Sequence, residues 1–121
     1  MSDRDDRLYI EDMIEFCTRA LTYSTALTEA TLTAETMRYD AILRNLELIR
    51  EAATHVPEQV RAMAPDVPWR QIVATRNRVA HAYLGIPTDT VWSILRDDLP
   101  ALTLSLQALL THMDRGPTPP G

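Results

Sequence analysis

The chain reads as an all-α protein, an antiparallel bundle of four main helices with one short extra helix. Three observations predict this. Apolar residues recur at helical spacing through each long segment. Prolines and threonines gather between those segments, where helices must stop. No β-hairpin signal and no internal repeat interrupts the pattern.

The elements follow in order. Ile10, Ile14, Cys17, Leu21 and Ser24 fall on one face, predicting an amphipathic helix over about residues 4–26. Asp3, Asp5 and Asp6 open it, where negative charge suits the helix dipole. Thr28 to Thr33 reads as a connection, with Thr33 as the expected N-cap of a second helix and Thr36 in the capping-box position. That helix runs to about His55, with Ile42, Leu46, Ile49, Ala53 and Val56 facing inward. Pro57, Pro65 and Pro68 then punctuate the chain, leaving room for a short helix from Glu58 to Met63 and a turn. Pro68 before Trp69 fits the start of a further helix ending near Gly85 and Pro87. Thr88 or Asp89 can cap the last helix, which carries Val91, Leu95, Leu102, Leu106, Leu109 and Met113. Pro100 lies inside it and is expected to kink or split it, with Asp97 and Asp98 capping the second half.

A length of 121 residues suits one domain, placed at residues 1–115, with Gly-Pro-Thr-Pro-Pro-Gly at 116–121 read as a disordered tail. No run of about 18 apolar residues could cross a membrane. The N-terminus is acidic and lacks a signal peptide's basic region and apolar core, so a cytoplasmic location is expected. The lone cysteine, Cys17, sits on an apolar helix face and reads as a packed thiol. A net charge of −5 argues against sequence-blind coating of nucleic acid. The charge is uneven, however. Residues 41–87 hold six arginines against four acids, whereas the segments on either side are net acidic.

That basic segment contains Arg76-Asn77-Arg78-Val79-Ala80-His81-Ala82-Tyr83. At about 100° per residue, Ile72, Val73, Ala80 and Tyr83 form one apolar stripe and Arg76 falls in its middle. A cation there needs a carboxylate, a phosphate or a subunit boundary, because burying it unpaired costs several kcal/mol. Asn77 and His81 occupy the adjoining flank. A purely structural role would pair Arg76 with Glu47 or Glu51 and leave His81 to cap or pack. Read alone, Tyr83 would be a core-edge aromatic with its hydroxyl in water. Metal binding has little support: His55, His81 and His112 lie far apart, and no Cys-x-x-Cys or His-Glu-x-x-His pattern occurs. No Gly-rich phosphate loop or nucleophile elbow is present, and no cofactor is expected.

Read with its neighbours, Arg76-x-x-x-x-His81 resembles the signature of the HEPN superfamily, small all-α proteins that include many ribonucleases. The chain is most similar to the HepT toxin family. The resemblance rests on Leu46-Glu47-Leu48-Ile49-Arg50-Glu51-Ala52, Val67-Pro68-Trp69, the motif with Tyr83 and Gly85, Val91-Trp92 and Asp98-Leu99-Pro100. This ordered set covers about residues 40–102. Arg50 departs from it, standing where the family commonly has glycine.

The resemblance implies a homodimer whose two motif helices meet in a composite cleft. It also implies metal-independent RNA endonuclease activity, inhibition of host growth, and an MntA-type nucleotidyltransferase antitoxin that adenylylates Tyr83. The residues suit that chemistry. His81 titrates in the range a general base or acid needs, and Arg76 can hold a scissile phosphate. Asn77 can orient the imidazole, Arg78 adds positive charge, and Glu51 can pair with either arginine in the resting dimer. A structured RNA end, such as that of tRNA, would suit a local site on an acidic protein. The rival reading is a non-catalytic HEPN module that binds nucleotide or RNA as the substrate-binding partner of a nucleotidyltransferase.

Overall fold

The computed structural model describes residues 3–74 and 87–114, and all regular structure among them is helical. Helix α1 spans Asp3–Ser24, α2 Thr36–Thr54, α3 Glu58–Arg61 and α4 Trp69–Ala74. Helix α5, Thr88–Ser93, passes through a π-helical turn at Ile94–Asp98 into α6, Leu99–Asp114. The predicted continuation of α4 to Gly85 and the tail at 116–121 lie outside the described residues.

Helix α1 packs along both α2 and α6, and α2 also meets α4. From α1 the core takes Ile10, Met13, Cys17 and Ala20, all without exposed surface. Ile14 and Leu21 pack on the flank of that stripe. All five residues predicted to face inward are buried: Ile42, Leu46, Ile49 and Ala53 of α2, and Val56 just past its end. Val91, Leu95, Leu102, Leu106 and Leu109 are buried as well. Full burial of an Ile or Leu side chain contributes about 1.5–3 kcal/mol, so this shared seam holds the bundle together. Asp6 is also buried, which its place in the acidic first turn did not signal.

Three expected helix boundaries are corrected. Thr33 is not the N-cap of α2; Glu35 takes that position, with φ −111° and ψ 104° and no side-chain capping bond. The threonines upstream satisfy each other instead. The Thr28 amide donates to Thr31 Oγ1 at 2.8 Å, and the Thr31 amide to Thr28 Oγ1 at 3.2 Å, which holds the chain in turns. Thr88 and Asp89 lie inside α5 rather than before it, and Pro87 is its N-cap. Pro87 can fill that place because its extended φ and ψ suit a position just outside the helix.

The third correction concerns Pro100. Asp97 and Asp98 do not cap a new helix, because the helix never stops. In an α-helix the Pro100 ring would clash with the carbonyl of Arg96. The π turn widens the ladder just before it, and the Leu99 amide donates to the Ile94 carbonyl five residues back. Leu95 and Leu99 stay buried on either side of the adjustment.

The segment between α2 and α4 is tied down by polar contacts. Arg61 donates from Nε to the Val56 carbonyl at 3.0 Å and from a terminal nitrogen to the Ala53 carbonyl at 2.9 Å. A cation at the end of α2 also opposes the negative pole of that helix. The same guanidinium lies 5.7 Å from the centroid of the Trp69 ring. Trp69 Nε1 donates to the Ala64 carbonyl at 3.1 Å. These contacts fix where α4 begins.

Candidate functional site

Arg76, Asn77, Arg78, His81 and Tyr83 lie outside the described residues. Glu51 is described, and its side chain is exposed on α2. Its backbone carbonyl accepts a hydrogen bond from Thr54 Oγ1 at 2.6 Å. The neighbouring acid, Glu47, is engaged with Arg50. Both Nε and a terminal nitrogen of Arg50 donate to Glu47 Oε1, at 3.1 and 2.5 Å. Only 8% of the Arg50 side chain reaches solvent, against 31% for Glu47. A bulky cation is therefore housed where the resembling family commonly has glycine, and it carries its own counterion one helical turn away.

Arg50 also lines a cleft of about 270 Å³ between α2, the start of α4 and the π turn. The cleft has an apolar floor that includes Leu46, Ile49, Val67, Ile72 and Leu102. Its rim is acidic: Asp66, Asp97 and Asp98 line it and are exposed. Ser105 of α6 donates to Asp66 Oδ2 at 2.9 Å, tying the two walls together. Ser93 Oγ lies 3.4 Å from Asp97 Oδ2. Partial burial raises the Asp98 carboxyl above its ordinary range, and the charge of Asp97 beside it acts in the same direction. An environment that resists a further negative charge favours a cation over a phosphate.

Sequence reasoning missed this cleft. Asp97 and Asp98 were expected to cap a helix, and Asp66 is brought to them only by the fold. His55 and His112 stay apart from it. His55 stacks on Tyr9 with ring centroids 5.2 Å apart, and His112 is exposed in the last turn of α6. Cys17 is a core thiol, as expected. Burial raises its pKa to about 11, partly offset by a hydrogen bond with Thr103. No helix among the described residues is long and apolar enough to cross a membrane. Among the same residues, no group of three or more His, Cys, Asp or Glu side chains is placed to hold a metal ion.

A family model described as "Ribonuclease HepT-like" matches residues 10–109, which include every helix seam described above and the Arg76 to Tyr83 motif. The chain belongs to this family. Among curated relatives, it is 26% identical over 99 residues to "Probable ribonuclease HepT" of Thermococcus cleftensis, covering 82% of this chain and 90% of the relative. It is 29% identical over 102 residues to "Putative RNase MJ1380" of Methanocaldococcus jannaschii, covering 84% and 94%. No solved structure matches. Against this HepT-like background, Arg50 and the acid-rimmed cleft are features of the described helices, and the motif lies within the matched residues.

Proposed function

We propose that this HepT-like chain is a metal-independent RNA endonuclease and the toxin of a HepT/MntA type VII pair. The observation that carries this reading is the full Arg76-x-x-x-x-His81-x-Tyr83 motif inside the matched residues 10–109. The acidic rim of the cleft supports assigning RNA to the motif and not to the cleft, since three carboxylates oppose a phosphate backbone.

In this mechanism His81 of one copy takes the proton from a ribose 2′-hydroxyl. The freed oxygen attacks phosphorus, and the bond to the 5′-oxygen breaks as that oxygen receives a proton from His81 of a second copy. Arg76 holds the phosphate oxygens through its guanidinium fork and stabilises the added charge in the transition state. Asn77 orients the imidazole, Arg78 strengthens the local field and Glu51 tethers an arginine when RNA is absent. One copy carries one such histidine, so a homodimer supplies both the base and the acid.

A nucleotidyltransferase partner silences the site. The Tyr83 oxygen attacks the α-phosphate of a bound nucleoside triphosphate and pyrophosphate leaves. The adenylate then places bulk and negative charge beside Arg76.

The test is RNA cleavage by wild type, Arg76→Ala and His81→Ala in chelator-containing buffer, with mass spectrometry of the RNA ends. Cleavage that leaves 2′,3′-cyclic phosphates and drops at least about 100-fold in both variants supports the reading. Variants that cleave like wild type overturn the catalytic assignment.

A further inference from the structure

The proposed nuclease mechanism assigns no step to the acid-rimmed cleft between α2, α4 and the π turn. Three features define its chemistry. Its floor is apolar, lined by Leu46, Ile72 and Leu102 among others. Its rim carries Asp66, Asp97 and Asp98, all exposed. None of these acids forms an ion pair with an arginine among the described residues, and Arg50, the cation in the wall, is occupied by Glu47.

The volume, about 270 Å³, suits one or two side chains better than a folded surface. A ligand that fits must bury an apolar group on the floor while placing positive charge at the rim. Nucleic acid fails the second condition and a free metal ion the first. A segment bearing arginine or lysine next to leucine-like residues meets both, because the long cationic side chains lay their methylenes on apolar surface and keep the charge outside.

We propose that this cleft docks a cationic, amphipathic segment of a protein partner. One arginine or lysine sits between Asp97 and Asp98, and a second reaches Asp66. An apolar side chain from the next helical turn fills the floor. The Ser105–Asp66 hydrogen bond holds one wall at a fixed distance from the other, so the mouth is preset.

The experiment uses the full chain without RNA and follows fluorescence anisotropy of an end-capped, labelled twelve-residue peptide. The peptide carries leucine and arginine at helical spacing. Companion peptides replace every arginine by citrulline or by glutamate. The arginine peptide is expected to bind, the citrulline peptide to bind roughly 10-fold more weakly, and the glutamate peptide not at all. Single Asp→Asn changes at 66, 97 or 98 should each weaken binding about 1.5- to 5-fold, as partly solvated charge pairs do. The exposed Ala101 lines the cleft, so Ala101→Arg should abolish binding by filling the cleft with a cation in cis. Asp12→Asn, on α1 and away from the cleft, should leave binding unchanged.

Equal affinity for the arginine and citrulline peptides overturns the proposal. So does an Asp12→Asn effect as large as that of the cleft acids. If the three Asp→Asn changes alter the melting temperature and leave peptide affinity alone, the acids serve this chain's own fold and the proposal falls. If, in a separate titration with labelled RNA, Ala101→Arg changes RNA affinity and leaves peptide affinity alone, the cleft is a nucleic-acid site and the proposal falls as well. Neither outcome bears on catalysis by Arg76 and His81.

Discussion

Glu47 and Arg50 form an ion pair in which the two partners are not equivalent, and replacing each in turn should reveal it. Removing one partner from a fully buried pair costs about 3–5 kcal/mol, because the other charge is left unpaired in a poor solvent. Arg50 is close to that limit with 8% of its side chain exposed, but 31% of the Glu47 side chain is exposed, although its Oε2 is buried without a partner. Glu47→Gln strands the buried cation against a weaker, neutral acceptor. Water reaching past position 47 reduces the penalty, so the expected cost is about 1.5–3 kcal/mol. Arg50→Met removes the buried cation, fills a similar volume and frees the Glu47 carboxylate, whose Oε2 is buried without a partner, to swing out to water on its partly exposed side chain. Its expected cost is about 0–1 kcal/mol. Since 1 kcal/mol moves the midpoint of a domain this size by roughly 3–6 °C, Glu47→Gln should lower Tm by roughly 5–15 °C and Arg50→Met by a few degrees at most. The assay is thermal unfolding followed by far-ultraviolet circular dichroism at fixed protein concentration. The double variant should lie near Arg50→Met alone, because the stranded charge is gone. If Arg50→Met proves at least as costly as Glu47→Gln, the arginine matters through packing and the reasoning is wrong.

Other consequences are open to equally direct checks. Ile10→Ala, at a position with no exposed surface, should cost about 2–5 kcal/mol in urea unfolding. Leu104→Ala, at a position 69% exposed, should stay within about 0.5 kcal/mol; comparable losses would mean that the packing is misassigned. The Cys17 thiol titrates near 11 when folded against an ordinary value of 9.0, so the unfolded chain ionises first. Below pH 9.0 both states hold the proton, and stability falls as pH rises from 9.0 to about 11. Cys17→Ala should show a shallower alkaline decline across that window, and parallel curves would contradict the assignment. Tyr83→Phe should keep RNA cleavage while blocking the adenylate mass gained on co-expression with a nucleotidyltransferase partner. An adenylate found on the Phe variant would move the modification elsewhere.

How much of this was legible in the sequence depends on the range of the forces involved. The inward faces of α2 and α6 could be read because periodicity is local, and each of Ile42, Leu46, Ile49, Leu102, Leu106 and Leu109 is buried as its spacing demanded. Helix starts were less legible. Thr33, Thr88 and Asp89 all have side chains suited to capping, but residue type does not say which backbone position turns extended, and Glu35 and Pro87 take those places. Pro100 announced a disturbance without its form. A wide turn wins over a break because Leu95 and Leu99 must both stay in the core, where α1 packs against the turn. The cleft depends on tertiary structure throughout, since nothing local joins Asp66 to Asp97 and Asp98. The residues proposed for RNA cleavage were legible in the opposite way, as a linear motif, and they lie outside the described residues.

The π turn at Ile94–Asp98 bears on how this chain can change length. A π turn accommodates one residue more per turn than the α-helical ladder, so it stores an insertion without shifting the helix beyond it. Deleting one residue from 94–98 together with Pro100→Ala would return the segment to ordinary α-helix. Leu102, Leu106 and Leu109 would then keep their places in the core. A residue can therefore be gained or lost here while the C-terminal helix keeps its register. Such a change would reshape the wall that carries Asp97 and Asp98 and leave the core as it is.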